Sequence, residues 1–170
     1  MASIKGIELK DMTMTKGKEY PVDHHGIIYL NGKKLGRWDE SKYGGNDFYD
    51  FDTAEIEKLS EEYYTERGIK TYSLDCLLSE ILKLYKYEEF FKEAQGKGYE
   101  KLIVCRYKMK LPDGTPHDYG QPGIVEFNGA KDEAIEFAAQ TLEKDIKKMR
   151  KEGAEPVFTV YESLEDFIIT

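Results

Sequence analysis

The carboxylates of Asp50 and Asp52 come closest to a chemical signature in this sequence. They lie two residues apart in a predicted short strand, and residues at that spacing share one face of a strand, about 7 Å apart. Such a pair can bind a divalent metal, and metal-dependent nucleases combine it with a further acidic residue. Glu126, or His117 with Asp118, could complete that site. A metal-dependent nuclease is therefore one hypothesis.

A purely structural interpretation of the same two carboxylates competes with this one. Asp52 can cap the helix that follows, with Glu55 three residues further on, as in a capping box. Asp50 would then be solvated opposite Phe51. No other metal-ligand pattern lies nearby, so the sequence favours the structural interpretation. We predict no catalytic residue, no metal site and no cofactor.

The histidines do not define a site by their spacing. His24 and His25 are adjacent, so on a strand they point to opposite faces and are unsuited to binding one ion together. A serine triad has no motif to support it. No G-x-S-x-G frame surrounds the residues that it would need, namely Ser41 or Ser163 with His117 and Asp118.

The charge of the chain is concentrated in residues 39–66, here called the acidic segment. This segment holds ten acidic and two basic residues, a local net charge of −8, which equals the net charge of the whole protein. Aromatic side chains are interleaved with the acids. The contacts that we predict for a partner are Asp39, Glu40, Tyr43, Asp47, Tyr49, Asp50, Asp52, Glu55, Glu62 and Glu66.

Two interpretations of the acidic segment remain open. It is either a solvated helix face beside a half-buried strand, or a binding surface whose carboxylates imitate a phosphate backbone. Aromatic anchors and a negative field would suit a basic protein or ribonucleoprotein partner. Direct, sequence-independent binding to nucleic acid needs clustered Lys and Arg, which a net charge of −8 argues against.

Length and composition predict one α+β domain over residues 1–170, with a subdivision into 1–66 and 73–170 as the alternative. Cys76 and Cys105 form no C-x-x-C pair, and we expect both to be free, buried thiols in a reducing cytosol. No stretch approaches the roughly 18 apolar residues of a membrane span. We therefore expect a cytoplasmic protein.

The first half of the chain predicts strands followed by a helix. Residues 4–15 alternate apolar and polar side chains, which predicts one half-buried strand. A β-hairpin covers residues 26–38, because Asn31-Gly32 supplies the positive φ angles of a type I′ turn. Residues 48–51 predict a further strand, and residues 53–66 an acidic helix with Ile56, Leu59 and Tyr63 on its apolar stripe.

The second half predicts two helices and three strands. Ser73 caps a long helix to Gln95, for which a break near Tyr87 stays open. Strands follow at residues 99–109, 123–127 and 156–161. A third helix ends at Gly153, with an apolar stripe of Ile135, Ala138, Ala139, Leu142, Ile146 and Met149. The order ββββααββαβ, with three main helices, indicates an α+β fold with an antiparallel or mixed sheet.

Several short motifs resemble small accessory proteins of phages and conjugative elements. They are Ile4-Lys5-Gly6-Ile7, the hairpin run Tyr29–Gly36, Trp38, the Gly44-Gly45 break and Gly96–Ile103. Proteins of this general kind include type II anti-CRISPR proteins, which inhibit the RNA-guided nuclease Cas9. The resemblance covers about a third of the chain and carries over no catalytic residue.

The resemblance implies an inhibitor in the cytoplasm of the bacterial host cell, whose target is a large, basic nucleoprotein. The expected function is then a non-enzymatic inhibitor that binds Cas9 or its guide-RNA complex and blocks DNA recognition or cleavage. Two alternatives remain. One is the metal-dependent nuclease, acting on guide RNA or DNA, and the other is an interaction or assembly module of a mobile element, unconnected with host defence. The long helix would be sufficient for a homodimer contact in that case.

Overall fold

A computed structural model describes residues 1–15, 23–41, 46–70, 73–112 and 114–170 of the protein. These residues form an α+β fold, as predicted. The strands are β1 (Ser3–Ile4), β2 (Ile7–Thr15), β3 (Asp23–Leu30), β4 (Lys33–Asp39), β5 (Phe48–Tyr49), β6 (Lys101–Lys110), β7 (Pro116–Asp118), β8 (Gly123–Phe127), β9 (Glu155–Tyr161) and β10 (Ile168–Ile169). The helices are α1 (Ala54–Glu66), α2 (Leu74–Gly96), α3 (Lys131–Thr141) and α4 (Glu143–Lys151), with a 3₁₀ turn at Leu164–Phe167.

The chain divides into two compact units. Unit 1 comprises Met1–Lys86 and Phe167–Thr170, and unit 2 comprises Tyr87–Asp166. The boundary falls within α2, which continues past Tyr87 without the break that the sequence left open. The prediction of one domain over residues 1–170 stays a prediction.

The sheet of unit 1 has the order β10-β1-β2-β3-β4-β5 in the described part of the chain. Every pairing is antiparallel except that of β1 with β10, which is parallel, so the sheet is mixed. The predicted hairpin is confirmed as β3 and β4, with Leu30 opposite Lys33. Asn31 and Gly32 have φ angles of 50° and 79°, the left-handed pair that a type I′ turn requires.

The predicted strand over residues 4–15 is wrong in one respect, because a second tight turn divides it. Lys5 and Gly6 have φ angles of 50° and 77°, and they separate β1 from β2. The Asn31 amide donates to the Gly6 carbonyl at 2.8 Å, which ties this turn to the hairpin turn. The apolar residues on the two sides, Ile4 and Ile7, lie three residues apart, so the period-2 alternation breaks at this turn and does not support one continuous strand.

The helices of unit 1 bury the stripes that their periodicity predicts. In α1, Ile56 and Tyr63 are buried and Leu59 is half-buried. In α2, Leu77, Leu78 and Ile81 are all fully buried, each side chain contributing about 1.5–3 kcal/mol of transfer free energy. The Ser73 hydroxyl accepts from the Cys76 amide at 3.2 Å, which confirms Ser73 as the cap of α2.

The core of unit 2 lies between a four-stranded sheet and two helices. Strand β6 is central, since β9 pairs along one edge and β7 and β8 along the other. One cluster joins Ile103 of β6 to Ala134 and Ala138 of α3. A second joins Cys105 and Tyr107 to α4. Thus alternate residues of β6 face the helices.

The predicted third helix is two helices in the structure. It is interrupted at Leu142, which separates α3 from α4 and packs against both core clusters of unit 2. Ile135 is 45% exposed, so its place on the predicted apolar stripe is wrong. Ala134 takes the buried position instead, since the buried face of α3 is narrow and lined by alanines.

The two thiols also differ from each other. Both are free, but Cys105 is buried and Cys76 is exposed, so the prediction of a buried thiol is wrong for Cys76. Cys76 lies in the first turn of α2, between the buried positions Leu74 and Leu77, on the side that faces away from the core.

Candidate functional site

The acidic segment begins with two carboxylates that are bound to histidines. The Nδ1–H of His25 donates to Asp39 at 2.7 Å, and the Nε–H of Arg37 donates to the same oxygen at 2.8 Å. Burial acts against ionisation of Asp39, but the hydrogen bonds from His25 and Arg37 outweigh it and lower its pKa. Glu40 is paired with His24 in the same way. Both predicted contact residues therefore have partners within the fold.

Asp47 binds the indole of Trp38, the largest of the fully buried side chains. Its carboxylate accepts from Trp38 Nε1 at 2.7 Å and from the Ser41 amide at 2.9 Å, while Trp38 is fully buried. Burial raises the pKa of Asp47, these two hydrogen bonds oppose the rise, and the charges of Asp75 and Glu40 add to it. Asp47 therefore holds the chain after β4 against the sheet.

Tyr49 lines a cleft of about 700 Å³ between β5, α1 and the start of α2. Its hydroxyl donates to Asp75 at 2.6 Å, and burial together with this carboxylate raises the pKa of Tyr49 far above its ordinary value. The phenol therefore stays protonated at any physiological pH. The other lining residues are Asn46, Asp47, Ala54, Glu57, Lys58, Ser60, Glu61, Ser73, Leu74 and Asp75.

Asp50 and Asp52 each accept a backbone hydrogen bond. Asp50 accepts from the Arg37 amide at 2.6 Å, and Asp52 accepts from the Ala54 amide at 3.1 Å. Thr53 is the N-cap residue of α1 and makes no side-chain cap bond, so the predicted capping box does not form in the way expected. Asp52 nevertheless satisfies one amide at the start of the helix, where a negative charge is favourable.

The residues proposed to complete a metal site lie in unit 2, and each carboxylate there is paired with a lysine. Lys108 contacts Asp118 at 2.6 Å, and Lys97 contacts Glu126 at 2.9 Å. Among the described residues, no three His, Cys, Asp or Glu side chains are grouped as a metal ion would require. The geometry thus gives the metal-dependent nuclease no support.

The α1 helix is the part of the acidic segment that directs its charges outward. Its exposed side chains include Glu55, Glu57, Glu61, Glu62 and Glu66. Lys58 is the one basic residue among them and lies 4.0 Å from Glu62, while Glu66 bonds Lys5 at 2.7 Å. The opposite face, with Ile56, Ser60, Tyr63 and Tyr64, is buried.

The aromatic residues of the acidic segment mostly face inward. Tyr63 and Tyr64 are buried, and their hydroxyls donate to Glu80 at 3.0 and 3.2 Å. Phe48 is 58% exposed and is the large aromatic side chain that β5 presents to solvent. Tyr43, the remaining predicted contact, lies outside the described residues.

Sequence reasoning missed two residues that organise this region, Trp38 and Asp75. The sequence marks Trp38 only as part of the hairpin and of the resemblance, yet its indole donates to Asp47. Asp75 lies 28 residues after Asp47 but accepts from the Asp47 amide at 3.4 Å and from the Tyr49 hydroxyl. No spacing rule joins residues so far apart in sequence, so only the fold reveals the cluster.

Within the described part of the chain, no helix combines the length and apolar character needed to cross a membrane. Comparison with protein-family models, curated proteins and solved structures gave no significant match to the chain. The resemblance to phage and mobile-element accessory proteins therefore stays an expectation from the sequence motifs.

Proposed function

We propose that the protein binds Cas9 or its guide-RNA complex through the exposed glutamates of α1 and so inhibits DNA recognition or cleavage. Inhibition would result from binding alone. The observation that carries this proposal is the set of exposed carboxylates on α1, here called the α1 acidic face: Glu55, Glu57, Glu61, Glu62 and Glu66.

The charge density of the α1 acidic face supports imitation of a nucleic acid strand. At 1.5 Å per residue, Glu55 and Glu66 lie about 16 Å apart along the helix axis. One strand of DNA places a phosphate every 3.4 Å or so, which is about five phosphates over that length. The five glutamates of this face therefore match a single strand in the number of charges, while Lys58 beside Glu62 and Lys5 beside Glu66 offset part of that charge.

The class of partner follows from that match and from the sequence resemblance. Cas9 holds its guide–target heteroduplex in a positively charged channel and recognises it by backbone geometry. An acidic helix of about 16 Å fits the chemistry of such a channel and would compete with the nucleic acid backbone. Phe48, exposed on β5, adds an apolar anchor in the same unit.

The test is to titrate the protein against a fixed amount of Cas9–guide RNA complex and to measure both binding and DNA cleavage. The variant E55Q/E57Q/E61Q/E62Q, here called the α1 variant, should need at least tenfold more protein for half inhibition. Four lost contacts of about 0.5 kcal/mol each amount to about 2 kcal/mol. Added salt should weaken the wild type more than the variant.

A matched control removes the same charge from another surface. The variant D132N/E133Q/E136Q/E152Q also neutralises four exposed acids, all in unit 2. It should inhibit as well as the wild type. Equal losses in both variants would show that net charge, not the α1 acidic face, is responsible. A wild type that neither binds nor inhibits the complex would exclude Cas9 as the partner.

A further inference from the structure

A threonine, a histidine and an aspartate form a hydrogen-bonded chain on the surface of the unit 1 sheet. His25 Nε2 lies 3.0 Å from Thr15 Oγ1, and His25 Nδ1 lies 2.7 Å from Asp39 Oδ1. The three residues come from β2, β3 and β4, three neighbouring strands. A hydroxyl within reach of a base that a third group orients is the arrangement of an activated nucleophile.

The register of the strands explains why these side chains meet. Thr13 pairs with His25, and His25 pairs with Asp39, and residues directly opposite one another share a face of the sheet. Thr15 lies two residues beyond Thr13 and so returns to that face. Its hydroxyl can then reach His25 diagonally.

A β-bulge in β2 is what brings the threonines to this face. The register shifts between Lys10 and Thr13, where Asp11 has a φ of 52°. Without the extra residue, Met12 would stand opposite His25. The bulge leaves no room for a side chain at position 26, because a Cβ added to Gly26 would lie only 2.4 Å from the Met12 sulfur. The hydroxyl–imidazole contact thus depends on this local irregularity.

The hydrogen bonds also define the proton positions. An ionised carboxylate is only an acceptor, so the His25 Nδ1 that faces Asp39 carries the hydrogen. The neutral ring then presents a lone pair at Nε2, and the Thr15 hydroxyl donates to it. This tautomer is the one that can take a proton from the hydroxyl.

Thr15 lines an open groove of about 480 Å³. Thr15, His25 and Arg37 line it together with Asp11, Thr13, Gly26 and Ile27. Thr15 is exposed, so a small substrate can reach its hydroxyl. Arg37 is the cation among the lining residues; its Nε–H donates to Asp39, and its other guanidinium N–H groups are the donors that the groove offers to an oxyanion.

We propose that Thr15 is a nucleophile for acyl transfer from small, activated carboxylic esters, with His25 as its general base and Asp39 as the positioning residue. The activity lies beyond the proposed inhibition and uses a different surface of unit 1. Glu40 pairs with His24 instead, and Lys86 occupies the other nitrogen of that ring at 3.0 Å, so His24 has no hydroxyl to activate.

The reaction balances without any further cofactor. Thr15 Oγ attacks the ester carbonyl carbon while its proton passes to His25 Nε2. The bond to the leaving oxygen breaks, and His25 returns the proton to that oxygen, which leaves as an alcohol. Water then attacks the acyl-threonine with His25 again as base, releasing the carboxylic acid and restoring Thr15.

The test uses p-nitrophenyl acetate as the ester and the full-length protein. Acid quenching followed by mass spectrometry should show one acetyl group, which peptide mapping places on Thr15. Thr15→Val and His25→Ala should both lose this adduct, and nitrophenol release should fall by at least about a hundredfold. Thr15→Ser should retain it, because a primary hydroxyl is less hindered.

His24→Ala is the matched control for hydrolysis by an exposed imidazole, and it should leave both the adduct and the rate unchanged. Circular dichroism should show that Thr15→Val and His25→Ala remain folded. An acetyl group mapped to any other residue, or a Thr15→Val rate equal to that of the wild type, would overturn the proposal. If only His24→Ala reduced the rate, the reaction would belong to that histidine instead.

Discussion

The two halves of the acidic segment place the same kind of side chain in opposite situations. From Asp39 to Asp52 the carboxylates bind groups of the fold, among them two histidines, an indole and three backbone amides. In α1 the glutamates point outward. The acidic residues behind the local charge of −8 therefore do not all belong to one exposed surface. The first half of the segment is bound within the fold, and its second half is exposed to solvent.

The largest effect that separates the two halves is the loss of Asp47. We expect Asp47→Ala to lower the free energy of unfolding by about 3 kcal/mol, because a charged acceptor is removed from the Trp38 indole and the Ser41 amide. Trp38 is fully buried, so water cannot easily replace the carboxylate. Urea denaturation followed by tryptophan fluorescence would measure the change at the single indole of the chain.

Glu61→Ala is the control from the other half, since Glu61 is exposed on α1. Its effect should stay within about 0.5 kcal/mol, as for surface substitutions generally. If Asp47→Ala cost no more than Glu61→Ala, the two halves would not differ in the way that the structure indicates.

The next effect is a change in the pH dependence of stability. The hydrogen bonds of His25 and Arg37, acting against burial, lower the pKa of Asp39, while burial and neighbouring charges raise the pKa of Asp47. A lowered pKa contributes stability above the unfolded value near 3.8, which is lost as pH falls through the folded pKa. A raised pKa does the reverse, so stability falls as pH rises from that unfolded value through the folded pKa.

Asp39→Asn and Asp47→Asn should therefore change the stability curve with opposite slopes. Between pH 3 and pH 6, the difference between wild type and Asp39→Asn should grow with pH. The corresponding difference between wild type and Asp47→Asn should decrease as pH rises over the same range. Urea midpoints at four or five pH values measure both slopes, and slopes of the same sign would contradict the assignment of opposite environments.

The parts of the fold that the sequence predicted are those whose signal is local. Asn31-Gly32 requires a left-handed turn whatever surrounds it, and the apolar period of α2 extends over 23 residues with Ser73 as its cap. The turn at Lys5-Gly6 was missed, although Ile4 and Ile7 lie three residues apart and so break the alternation at that point. The exposure of Ile135 depends on the narrow contact of α3 with β6, which no periodicity reveals.

The candidate site was predictable only in its outward half. The glutamates of α1 follow from helix periodicity, since Ile56 and Tyr63 fix which side is buried. The bonds of Asp47 to Trp38 and Asp75 join β4 and α2, which lie far apart in sequence. The meeting of Thr15 with His25 depends on a bulge that has no sequence signature. Charge composition located the segment, but tertiary contacts decide which of its charges reach solvent.

The smallest effect is the most useful one for interpreting the inhibition experiment. We expect the α1 variant to change the free energy of unfolding by less than about 0.5 kcal/mol. Glu55 and Glu57 favour the helix dipole in the first turn, so their neutralisation costs a few tenths of a kcal/mol. Glu57 and Glu61 repel each other at a spacing of four residues, so removing both charges stabilises the helix by a similar amount.

Because these contributions offset one another, the urea denaturation curve of the α1 variant should nearly superimpose on that of the wild type. Loss of inhibition by this variant would then report on binding and not on unfolding. A destabilisation above about 1 kcal/mol would instead mean that the outward glutamates support the fold, as the first half of the segment does. The division of the acidic segment into a structural half and an exposed half would then fail.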